Sequence, residues 1–97
     1  MEDSNQPLQV EIDEPVARGI YTNLALLTHS ETEFILDFLF IQPQTPKTKV
    51  LARLVTSPVH AKRLLAALQD NLAKYEARFG TVNAGEPAAQ KRPGVYQ

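Results

Sequence analysis

Cysteine is absent from all 97 residues, which excludes both disulfide staples and thiolate metal sites. Tryptophan is missing too, and aromatic residues make up only 7% of the chain, so the stacking platforms of a dedicated single-strand nucleic-acid binder are lacking. Four glycines are too few and too scattered to form a phosphate-cradling loop. No apolar run approaches the ~20 residues of a membrane helix, which argues against a membrane partner. The start, Met1-Glu2-Asp3-Ser4-Asn5-Gln6, is polar and acidic, where a secretory signal has a basic start and an apolar run. The simplest expectation is a cytoplasmic protein.

The residues that are present describe one small domain, 43% hydrophobic and 22% charged. A chain this short buries a low fraction of its surface, and association with further copies is a common remedy. Net charge is −1, but its distribution is uneven. Residues 1–37 carry eight acidic side chains against Arg18 alone, whereas residues 38–69 carry Lys47, Lys49, Arg53, Lys62 and Arg63 and no acid. Three readings follow: a basic binding surface, two complementary edges of one oligomer, or an ordinary mixed surface after folding.

Hydrophobic spacing predicts four strands and one long helix. Leu8, Val10 and Ile12 alternate with Gln9, Glu11 and Asp13, the period of a half-buried strand that Glu14-Pro15 would end. Gly19 permits a turn, a second strand spans about 20–28, and His29-Ser30-Glu31-Thr32 reads as a hairpin connection. The third strand, residues 34–41, is apolar on both faces with Asp37 its only charge. Pro43 and Pro46 close it, and residues 47–56 form the fourth strand, rich in valine and threonine. Ser57 as cap, Pro58 at the first helical position and Gly80 as stop bound a helix of roughly 22 residues and ~33 Å. Ala61, Leu64, Leu65, Leu68, Leu72, Tyr75 and Phe79 give it one apolar face. The domain is thus residues 8–80, between a flexible start (1–7) and a flexible tail (81–97) rich in Ala, Gly, Pro and Gln.

Pairing Gln42 with Thr48 across the proline loop sets Phe38 opposite Ala52 and Asp37 opposite Arg53. Even-numbered residues then share a face: Ile20, Leu24, Leu26, Phe34, Leu36, Phe38, Phe40, Val50, Ala52 and Leu54, the natural bed for the helix. The odd face carries Tyr21, Ala25, Leu27, Ile35, Asp37, Leu39, Ile41, Leu51, Arg53 and Val55, with Asn23 beside them. Left open, it would be a large apolar patch, so these residues are the expected oligomer interface, with Asp37 and Arg53 fixing register. The fold expectation is α+β: a four-stranded antiparallel sheet, a long C-terminal helix on one face, and an oligomer interface on the other.

Gly19-Ile20-Tyr21-Thr22-Asn23-Leu24, Phe34-Ile35-Leu36-Asp37-Phe38 and the run Ser57-Pro58-Val59-His60-Ala61-Lys62-Arg63-Leu64-Leu65 through Leu72, with Lys74-Tyr75-Glu76 and Phe79-Gly80, carry a resemblance. Over about residues 8–80 the chain resembles a small bacterial family catalogued as domain of unknown function number thirty-four sixty-seven. The family has no established activity, so the resemblance implies no catalytic residue. More loosely, four strands before a long helix is similar to the core of SecB-type export chaperones, which assemble through their sheets and expose apolar grooves. This chain lacks their second helix, and fold alone is a weak warrant for function.

No chemistry-bearing constellation emerges. His29, near Glu31 and Glu33, and His60 are spaced for a turn and a helix start rather than a shared metal. Ser30 beside His29 lacks an orienting acid. Asp37 reads as half of a structural ion pair rather than a functional acid. The reading is therefore non-enzymatic, without cofactor: a small oligomeric interaction protein partnered by itself and by another protein. It would be a subunit or accessory factor of a larger complex, or a SecB-like holder of apolar segments. The alternative is an accessory nucleic-acid-associated protein of the transcription or translation machinery, using Lys47, Lys49, Lys62 and Arg63 as a basic rim.

Overall fold

The computed structural model describes residues 7–85. Their order is a helical turn α1 (Glu14–Ala17), strands β1 (Leu24–His29), β2 (Phe34–Leu39) and β3 (Val50–Thr56), and helix α2 (Pro58–Phe79). The protein is α+β, and its sheet is antiparallel with order β1-β2-β3. The sheet has three strands rather than four. Residues 8–12 belong to no helix and join no ladder, and Pro15 stands at the start of α1, where its missing N–H is not needed. Ala17 N–H donates to the Asp13 carbonyl and Gly19 N–H to that of Val16, and Gly19, at φ +75°, ends the turn.

The second expected strand begins late, at Leu24, and just ahead of it Asn23 adds side-chain bonds to the one its N–H makes to the Leu39 carbonyl at 3.0 Å. Its carboxamide donates to the Ile41 carbonyl at 2.9 Å and accepts from the Ile41 N–H at 2.8 Å, tying the open end of β1 to the chain leaving β2. Ser30 organises the β1–β2 hairpin, its hydroxyl accepting from the Thr32 and Glu33 N–H groups. His29 pairs with Phe34 across this hairpin, and their rings stack at 5.3 Å.

That pairing changes the faces. Four residues separate His29 from Phe34, so odd positions of β1 stand opposite even positions of β2. Leu24, Leu26 and Thr28 share a face with Ile35, Asp37 and Leu39, while Ala25 and Leu27 lie with Leu36 and Phe38, an exchange of the β1 faces expected from numbering alone. Between β2 and β3 the expected register is present, Phe38 opposite Ala52 and Asp37 opposite Arg53. A bulge at Phe38/Leu39 then sets Leu39 against Val50, so the pairing does not continue to Gln42 and Thr48. Instead, the Thr48 hydroxyl donates to the Phe40 carbonyl at 3.1 Å.

Helix α2 has the boundaries its sequence dictates. The Ser57 hydroxyl accepts from His60 N–H at 3.1 Å, Pro58 opens the helix, and Gly80, at φ +102°, closes it with its N–H on the Glu76 carbonyl. Asp70 and Lys74 form an i,i+4 pair at 3.1 Å. Ala61, Leu64, Leu65 and Leu68 border a groove whose other wall is Leu27, Phe34 and Leu36, so the first half of α2 lies over the face bearing the phenylalanines. After Gly80, Val82 N–H donates to the Glu76 carboxylate; the remainder of the expected tail, residues 86–97, lies outside the described residues, as do residues 1–6 of the expected flexible start. Ser57→Ala removes the cap and should destabilise the fold by about 1 kcal/mol, read as a lower thermal midpoint with unchanged helical content at low temperature.

Candidate interaction surface

Asp37 occupies the middle of the central strand and is completely buried, whereas the Arg53 side chain facing it is 54% exposed. Strand pairing brings the two opposite each other, and the contact is two-pronged: Nε donates to Oδ1 at 2.7 Å and Nη2 to Oδ2 at 2.8 Å. Leu26 stands across from Asp37 on β1, and Leu39 follows two residues along β2 on the same face. These two leucines are the buried apolar side chains among the described residues. A carboxylate enclosed this way is tolerable only with its charge compensated, and the guanidinium does this while keeping part of its own surface in water.

The expected interface residues divide when placed on this frame. Asp37 and Leu39 are already buried within the single chain and offer little surface to a partner. Ala25 and Ile35 are half-buried, and Ala25 and Leu27 lie on the α2 side of the sheet. Tyr21, Leu27, Ile41, Leu51 and Val55 are exposed, Tyr21 resting edge-on against Phe40 at 5.8 Å. Two further apolar surfaces join them. Beyond the groove, Leu72, Tyr75 and Phe79 on α2 are exposed, as are Leu8, Val10 and Ile12 ahead of α1. The apolar spacing in α2 was readable in sequence, but only packing decides that the sheet leaves much of it open.

The basic residues occupy two places. Lys47 and Lys49 precede β3 and border a hollow of about 520 Å³ with Phe40, Gln42, Thr48 and Leu51. Lys62 and Arg63 lie beyond the other end of β3, in the first turns of α2, so the strand separates the two pairs. His60 contributes its backbone N–H to the Ser57 cap, and His29 stacks on Phe34. No group of three or more His, Cys, Asp or Glu is placed to hold a metal, and no helix is long and apolar enough to cross a membrane, among the described residues.

Replacing only one member of the central ion pair strands the other. Arg53→Met should cost about 2–3 kcal/mol, below the range for a fully buried pair because the guanidinium is half in water. The double change Asp37→Leu with Arg53→Met should recover most of that loss in a denaturant-unfolding cycle.

No curated protein and no solved structure matches the chain. A sequence family does, over residues 1–84 and thus most of the length, including all five elements described above. The chain belongs to the family described as "Protein of unknown function (DUF3467)".

Proposed function

We propose that this protein is a non-enzymatic cytoplasmic interaction protein whose working form is a homodimer or higher oligomer. In that form it serves as an accessory subunit of a larger protein complex or as a holder of apolar segments. The observation that carries this reading is the open apolar stripe of α2: Leu64, Leu65, Leu68, Leu72, Tyr75 and Phe79 are all exposed, with Leu68 at 62%. Patches this continuous on small proteins mark contact surfaces, and a domain with so small a buried core gains stability by covering them. The groove between α2 and the sheet, lined among the described residues by Leu27, Phe34, Leu36, Ala61, Leu64, Leu65 and Leu68, supplies a seat for an apolar side chain. The nucleic-acid reading is less favoured, since the two basic pairs stand at opposite ends of β3 and each copy carries acidic residues as well.

Light scattering of the full chain at micromolar concentration should give a mass of at least two copies, and a stable, non-aggregating monomer would sink the proposal. Leu68→Glu should weaken association while leaving circular dichroism unchanged, because that side chain contributes little to the core of a single chain.

A further inference from the structure

Residues 8–12 have the sequence of a strand but no sheet to join within their own chain. Leu8, Val10 and Ile12 alternate with polar residues, are 87%, 82% and 64% exposed, and belong to no ladder. A segment with this pattern and no ladder partner leaves its backbone groups to water and its apolar side chains exposed. Across the sheet, β3 is an edge strand whose Val50, Leu51, Leu54 and Val55 are exposed. Exposed apolar edges are templates for another strand unless something covers them.

We infer that residues 8–13 of one copy pair antiparallel with residues 47–52 of a second copy, the start of the β3 edge and the three residues that lead into it, each chain lending its segment to the other in a two-fold symmetric dimer. This rests on the homo-oligomer reading above and adds to the α2 stripe a second contact between the copies. Charge spacing selects the register, and the antiparallel direction is the one that carries Leu8 onto β3 rather than away from it. Glu11 and Asp13 are two residues apart, as are Lys47 and Lys49, and an antiparallel ladder with Glu11 opposite Lys49 sets Asp13 opposite Lys47. In that register Ile12 faces Thr48, which borders the same hollow as Phe40, Leu51 and the two lysines. Acid, apolar, acid thus meets base, small, base. Leu8 falls opposite Ala52, on the side of the sheet where α2 lies. The other sheet edge, β1, contains no Lys or Arg and runs into a hairpin carrying Glu31 and Glu33, so it would repel the same segment. The missing fourth strand is then supplied in trans, a form of strand exchange that costs no new element.

Because the chain has no cysteine, introduced thiols report only on each other. Full-length Gln9→Cys and Leu51→Cys proteins, mixed, allowed to exchange subunits and mildly oxidised, should give a covalent dimer that neither forms alone. A chain carrying both substitutions that oxidises to a cross-linked monomer would overturn the exchange, since the segment would then fold onto its own β3. Independently, Glu11→Lys with Asp13→Lys should weaken dimerisation about tenfold or more, and adding Lys47→Glu with Lys49→Glu should restore it. Unchanged association in the first of these overturns the segment's role but leaves the oligomer reading intact. A monomeric unsubstituted chain overturns the oligomer reading itself.

Discussion

The bidentate bond between Arg53 and Asp37 is the constraint around which the sheet is arranged. A carboxylate at full burial in the central strand fixes which residue of β3 must stand beside it, because any other register would leave the charge without its nearest compensation. Hydrophobic side chains alone would not enforce that choice. Leu36, Phe38, Leu39, Leu54 and Val55 would tolerate a slip that exchanged one apolar neighbour for another. The bulge after Phe38 falls beyond the pair, where the ladder no longer has a charge to satisfy. Asn23 performs a related task at the same end of the sheet, holding Ile41 by both of its backbone groups.

Around that polar centre the apolar core is small. Leu26 and Leu39 are its buried members among the described residues, and the long leucine stripe of α2 meets the sheet only through its first turns. Such a balance explains why self-association is the favoured functional reading: the surfaces left open belong to the same elements that would otherwise complete the core. The split of charge along the chain, acidic before β2 and basic around β3, fits two copies meeting better than one copy meeting a polyanion, because each copy carries both signs.

Local chemistry was the most legible part of the sequence. Ser57, Pro58 and Gly80 mark the ends of α2 because capping and left-handed geometry depend on residues within one turn. The Asp37–Arg53 pairing was also legible, since counting back from the proline loop sets the lone acid of the apolar strand opposite Arg53, although the ladder itself does not reach Gln42 and Thr48. The parity of β1 was not. It depends on the number of residues that the hairpin at Ser30 holds between paired ends, and a change of one reverses every side chain of the strand. The first expected strand failed for a different reason: period-two alternation states that residues 8–12 can pair, while the partner edge is a property of the assembled sheet. The expected interface suffered from the same limit, because Leu39 and Asp37 look like surface on a flat lattice of alternating faces yet are enclosed by neighbours.

By itself, then, the sequence determined the elements whose physics is local: a capped 22-residue helix, a hairpin, an apolar central strand and a β2–β3 register set by one charge pair. Tertiary structure decided which side of β1 meets the helix, how far along α2 the sheet reaches, and that the acidic N-terminal segment lies outside the sheet. Those outcomes depend on loop length and on competition between distant surfaces for the same apolar contacts. No window of neighbouring residues contains that information.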